Sequence, residues 1–244
     1  MNLLYIDASA GLSGDMLLAS LLDLGLPLSS VPQTAYALKL PPLSIKTERV
    51  NRAGYSATRV SIRARREDPS LRHADHLFRC LREAVGFSRA LRERIFKVVS
   101  VLAGAEGAVH GVSSREVVFQ QLGRVDTLVA VAGFCAGLDY FGIDRVHVSP
   151  VPVGQWHQDH DGAWKAEPGP ATVKMLKRFP TRFLKERFEW TTPTGSALIA
   201  ALAKPGTAPP FTLLNVGYSV GHRQFPGRAG VLKALIGREF RSYR

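Results

Sequence analysis

Cysteine is scarce in this chain, and that scarcity is the first of several that narrow the field. Only Cys80 and Cys135 occur among 244 residues. Both fall in predicted helices without metal-type spacing, which argues against a disulfide framework or a cysteine-based zinc site and suits core thiols in a reducing compartment. No apolar run is long enough to cross a bilayer, and no basic-then-apolar signal segment opens the chain. A cytoplasmic location with no membrane partner is expected. Acidic residues are in deficit, 20 against 32 Lys plus Arg, leaving a net charge of +12. Such a balance favours anionic partners, nucleotides and phosphorylated cofactors among them. The excess is scattered, apart from Arg63, Arg65 and Arg66 and a basic tail from Arg238 to Arg244. No zinc finger, helix-turn-helix or aromatic–basic stacking motif accompanies it, so nucleic acid is not an expected partner. The nucleophile elbow, the Walker loop, the dinucleotide fingerprint and the two-histidine zinc helix are missing as well.

What is present is organised around the first stretch, Leu3 to Gly25. Leu3, Leu4, Tyr5 and Ile6 read as a buried strand that stops at Asp7. A small-residue loop with Gly11 and Gly14 follows, and Met16, Leu17, Leu21 and Leu22 resume at helical spacing. Ser13 is placed to cap that helix, which turns the free N–H groups of its first turn into the loop beside Asp7 and Asp15. A strand tip joined through glycines to a helix start can hold an anion or a metal–anion pair. The plainer reading is a βα turn in which the glycines only permit the bend.

Down the chain, a second helix from about Ser29 to Leu38 ends at Pro41 and Pro42. Two strands, 43–50 and 55–65, flank a hairpin loop at Asn51-Arg52-Ala53-Gly54. Arg66 to Arg72 reads as a loop, then helices are predicted over 73–84, 89–109 and 125–141. The last of these is almost wholly apolar and therefore central. A strand over 143–154 is interrupted by Pro150 and Pro152, and Gln155 to Pro170 is a polar loop holding His157, Asp159, His160 and Asp161. A short helix over 171–177, a helix from about Pro193 to Leu202 and strands over 211–218 and 229–236 complete the chain. The pattern predicts an α+β layered fold, a mixed sheet with helices packed on it. A subdomain boundary near Ser149, with a second small α/β unit beyond it, is compatible with the pattern.

Three stretches have the composition of a polar-ligand site. The opening loop offers Asp7, Ser13, Gly14 and Asp15. Thr191-Thr192-Pro193-Thr194-Gly195 sets hydroxyls at a helix start with proline in its first turn. Gly217 to Arg223 presents His222 and, in Arg223, a fixed cation. Asp126 heads the apolar helix, either as a dipole partner or as a carboxylate aimed into a cleft, and Glu189 has the same ambiguity. The His157–Asp161 loop carries metal-type ligands, though a solvated loop explains it as well.

These residues also carry a resemblance. Asp7-Ala8-Ser9-Ala10-Gly11-Leu12-Ser13-Gly14-Asp15-Met16 resembles the D-x-x-x-G-x-S-G-D-M opening of the LarC family, which inserts nickel during synthesis of the nickel-pincer nucleotide cofactor. Further matches follow in order: Ala105-Glu106-Gly107-Ala108-Val109-His110-Gly111, Gly123-Arg124-Val125-Asp126, Gly142-Ile143-Asp144-Arg145-Val146 with Ser149-Pro150, Pro170-Ala171-Thr172, Thr191 to Gly195, and Gly217-Tyr218. The resemblance implies nickel insertion into pyridinium-3,5-bisthiocarboxylic acid mononucleotide, with CTP and a divalent metal used by a C-terminal half that would be supplied separately. It implies carboxylate roles for Asp7, Asp15 and Asp126, phosphate-holding roles for Ser13, Gly14, Thr191, Thr192, Thr194 and Arg223, and metal contacts at Asp126 and His160. The departures are specific. Where the family typically has H-F-H-E-x-G, this chain has Val118-Phe119-Gln120-Gln121-Leu122-Gly123, and Ala130 replaces a second helical aspartate. The resemblance therefore leaves two readings, a nickel-insertion protein or a diverged, non-catalytic homologue that binds a phosphorylated nucleotide or a partner subunit. Homo-oligomerisation is open.

Overall fold

The computed structural model describes residues 1–119, 123–155, 157–158, 162, 164–165, 167–186, 188–224 and 229–240. β1 (Asn2–Asp7) leads through the glycine loop into α1 (Gly14–Asp23), followed by α2 (Ser30–Ala37) and the hairpin β2 (Leu43–Arg52) and β3 (Tyr55–Ala64). Ala53 and Gly54 both have positive φ, 50° and 84°, the two-residue turn whose twist matches paired strands. The predicted loop before the next helix contains a single 3-10 turn at Pro69–Arg72, its start capped by the Asp68 carboxylate. Then come α3 (Ala74–Glu83), α4 (Arg89–His110) and α5 (Val125–Tyr140).

The strand predicted over 143–154 is two strands, β4 (Arg145–Val148) and β5 (Val151–Val153), because Pro150 lies in the step between them and lacks the N–H a continuous ladder needs. Within the predicted polar loop, β6 (His157–Gln158) and β7 (Trp164–Lys165) pair antiparallel. α6 (Pro170–Met175), β8 (Thr181–Phe183), α7 (Pro193–Leu202), β9 (Ala203–Lys204), β10 (Phe211–Val220) and β11 (Val231–Glu239) follow.

Seven strands form one mixed sheet in the order β2-β3-β10-β11-β1-β4-β9, while β5 and β8 make a separate parallel pair. β1 lies at the heart of this sheet, antiparallel to β11 and parallel to β4. Leu4 and Ile6 of β1 join Leu17, Leu18 and Leu21 of α1 and Val129 and Phe134 of α5 in one core, which also takes in Val148, Val151 and Met175. Strand alternation explains the layering: Leu232, Ala234 and Ile236 of β11 are buried, whereas Val231, Lys233 and Leu235 between them are only half-buried. Helices thus cover one face of the sheet, as predicted. α5 is apolar all round and sits in the middle of the core. Among the described residues no helix is long and apolar enough to cross a membrane.

Candidate functional site

The opening loop and the threonine-rich turn are built as one object. Leu12 N donates to the Trp190 carbonyl at 2.8 Å, and Thr192 N donates to the Leu12 carbonyl at 2.9 Å. This parallel bridge between Leu12 and Thr191 sets two helix starts side by side. At α1, the Ser13 hydroxyl accepts from Met16 N (3.4 Å) and donates to Asp15. At α7, the Thr192 hydroxyl accepts from Gly195 N at 3.1 Å. Two glycines make the approach possible. A Cβ on Gly14 would lie 2.6 Å from Thr194 Cγ2, and one on Gly195 would lie 2.7 Å from the Leu12 carbonyl oxygen. Either contact is well inside van der Waals distance, so each motif requires the other.

A third helix start, that of α5, opens on the same space. Asp126 Oδ1 accepts from Thr127 N (2.7 Å) and from Arg124 Nε (3.2 Å), and Oδ2 accepts from Arg124 Nη2 (3.2 Å). The guanidinium is therefore a bidentate partner, and Asp126 in turn raises the pKa of Arg124. Glu67 caps the backbone beside it, accepting from Val125 N at 3.2 Å.

Between these helix starts lies a cleft of about 290 Å³. Ser13, Gly14 and Asp15 line it from α1, Asp126 and Thr127 from α5, and Thr192 and Thr194 from α7. Val60 and Ile62 of β3 supply an apolar wall, and Glu189, His222 and Arg223 complete the rim. Helix N-termini carry partial positive charge and unpaired N–H groups, so three of them around one hollow favour an anion. Three carboxylates, those of Asp15, Asp126 and Glu189, give the same hollow an affinity for positive charge. Arg223 Nη1 is 3.0 Å from Glu189 Oε2. Burial pushes the Glu189 carboxyl above the usual carboxylate range, with Arg223 opposing and Glu167 adding to the rise.

Of the residues singled out in the sequence, Ser13, Gly14, Asp15, Asp126, Glu189, Thr192, Thr194, His222 and Arg223 meet in this cleft. Asp7 and Thr191 do not line it. Asp7 stays at the tip of β1, where its carboxylate accepts from Ser9 N at 3.2 Å and pairs with Lys233 at 3.1 Å. Burial works to raise its pKa, but Ser9 and Lys233 outweigh that and hold it below the usual range. Thr191 is fully buried and its hydroxyl donates to the Pro152 carbonyl at 2.7 Å, so it pins the turn while its neighbours Trp190 and Thr192 line the cleft. His160, Gln120 and Gln121 lie outside the described residues. Among the described residues no group of three or more His, Cys, Asp and Glu side chains is close enough to hold a metal ion. Sequence reasoning passed over Val60, Ile62 and Arg124. The alternation of β3 signals an apolar face, but only the packed chain shows that this face walls a site.

Fold and cleft together define an α+β layered protein with a polar cleft gathered from three helix starts. Residues 4–243 match the family model described as nickel insertion protein, and the chain belongs to that family. It is 34% identical over 238 residues to a protein of Geobacter sp. (strain M21), 35% over 240 residues to one of Geobacter metallireducens and 33% over 235 residues to one of Rhodopirellula baltica, each provisionally named a nickel insertion protein. These matches cover 96–97% of this chain but only 59–62% of the relatives. No solved structure matches it.

Proposed function

We propose that the chain acts in nickel insertion and that its cleft holds the acceptor, a phosphorylated pyridinium mononucleotide. The observation that carries this reading is the convergence of the α1, α5 and α7 starts and Arg223 on a hollow that also contains three carboxylates. A pyridinium mononucleotide has complementary parts: a phosphate suited to helix N–H groups, the Thr192 and Thr194 hydroxyls and a guanidinium, and a cationic ring suited to carboxylates. Val60 and Ile62 offer the ring an apolar surface. Nickel is cargo in this scheme. Asp15 and Asp126 supply negative potential at the cleft, and transfer depends on the portion that the relatives carry beyond the matched region, which would also use CTP. The family resemblance and the relatives' names support the nickel part of the reading, and the geometry supports the nucleotide part.

A specific observation favours a second reading, nucleotide binding without nickel transfer. Both Asp126 oxygens are engaged by Arg124 and the Thr127 amide, and no described cluster supplies three metal-type ligands. Calorimetry separates the two. Nicotinic acid mononucleotide is expected to bind the wild type, and Arg223→Ala is expected to weaken it roughly ten- to hundredfold, the range for a charged hydrogen bond of about 1.5–3 kcal/mol. Stoichiometric nickel binding that is lost in Asp126→Ala favours insertion. Nucleotide binding without nickel binding favours the second reading, and nickel binding that survives Asp126→Ala without nucleotide binding removes the cleft from both.

A further inference from the structure

The binding mode above uses Arg223 but gives no role to the acid that holds it. The two halves of that ion pair are unequal. The Glu189 side chain is 17% exposed and the Arg223 side chain 64% exposed. Glu189 precedes Trp190, whose carbonyl accepts from Leu12 N, so its backbone is tied to the floor of the cleft. Arg223 reaches in on a long side chain from the segment after β10. An anion entering the cleft can draw Arg223 toward itself, and Glu189 is not free to follow.

We propose that Glu189 is a proton-linked latch for the cleft: an incoming phosphate takes Arg223 away from Glu189, and the stranded carboxylate binds a proton from solvent. The inference rests on the reading of the cleft as a phosphate site. In the step, the Glu189–Arg223 contact breaks, a phosphate–Arg223 contact forms, and one O–H bond forms on the Glu189 carboxylate with buffer as proton donor. Removing the cation from a carboxylate that is only 17% exposed leaves a poorly solvated negative charge, which protonation relieves. The surroundings push the same way. Asp15 from α1 and Asp126 from α5 share the cleft, and Glu167 ahead of α6 already raises the Glu189 carboxyl. His222, beside Arg223, also lines the cleft and is the competing proton acceptor. Arg52 is committed elsewhere, donating to the Arg223 carbonyl at 3.2 Å.

Titration calorimetry with nicotinic acid mononucleotide, in buffers of low and high ionisation enthalpy, tests the latch. The range of about pH 7.5–8.5 lies above the second phosphate ionisation near 6 and reaches the region where buried glutamates without partners titrate. Wild-type protein is expected to take up protons on binding, with affinity falling by up to about tenfold per pH unit, the limit for one linked proton. Glu189→Gln is expected to bind without proton uptake, with a flat pH profile and an affinity above wild type at the top of the range. His222→Gln is expected to retain the uptake, which keeps the assignment decidable if Glu189→Gln does not fold. The proposal is overturned by binding without uptake in the wild type, by unchanged uptake in Glu189→Gln, or by uptake that vanishes in His222→Gln. Those results leave the phosphate site standing. If neither wild type nor Glu189→Gln binds the nucleotide, the phosphate site itself fails and the latch fails with it.

Discussion

The two sides of the cleft are built on opposite plans. On one side, the opening loop and the threonine turn meet backbone to backbone, with Leu12 bonded to both Trp190 and Thr192 and two glycines at close approach. On the other side stand the β2–β3 hairpin and the segment after β10, joined largely through charged side chains. β3 meets β10 in register only at Ser219 and Thr58, and Arg52 reaches the carbonyls of Gly221 and Arg223. Backbone contacts permit little adjustment, whereas exposed arginines re-aim cheaply. The difference teaches that the helix-start side of the cleft is preorganised and that adjustment falls to the arginine-bearing side.

The sharpest way to break this comparison is to add one methyl group to the fixed side. Gly195→Ala forces a Cβ against the Leu12 carbonyl and is expected to cost about 1–3 kcal/mol, the range for overpacking, read by chemical denaturation. A neutral outcome would mean that this wall yields as easily as the other. Thr192→Ala removes the α7 cap and is expected to cost about 1 kcal/mol, with weaker nucleotide binding in the same preparation.

The preorganised half of the sheet also carries a pH liability. His147 of β4 is 5% exposed, and neither ring nitrogen has a hydrogen-bond partner among the described residues. Burial first, then Lys204 and Arg145, lowers its pKa. At pH values above its unfolded value, near 6.5, it is neutral in both states and adds no pH dependence. As pH falls below that value the unfolded chain binds the proton more readily, so stability declines until the lowered folded value is reached. Thermal melts from about pH 7 down to 5 should show this decline, and His147→Gln should flatten it. The smallest stability effect is expected on the adjustable side. Arg52→Ala should change stability by no more than about 0.5 kcal/mol while lowering nucleotide affinity, because its hydrogen bonds position the Arg223 segment. A large loss of stability would show that the hairpin is as structural as the threonine turn.

Much of the fold was legible because its signals are local. Ser13 and Thr192 announce helix starts through side chains that bond two or three residues ahead, and Asn51 to Gly54 announces a hairpin through backbone that must enter the left-handed region. The uniform apolarity of α5 revealed its central place. The site was legible in part for the same reason, since most of its polar lining sits at helix starts. Asp7 and Thr191 show the limit. Each belongs to a segment that reaches the cleft, yet Lys233 and Pro152, both far away in sequence, draw their side chains elsewhere. Nothing near Glu189 in sequence names Arg223 as its partner.

Taken alone, the amino-acid order determined where helices begin, where strands turn and which segments are too apolar for solvent, because capping, turn geometry and hydrophobic periodicity act over a few residues. Tertiary structure decided which helix starts face one another, which acid is buried beside which arginine, and which apolar strand face becomes the wall of a cleft. Those outcomes depend on strand order and on close packing across segments distant in the chain, for which local sequence carries no code.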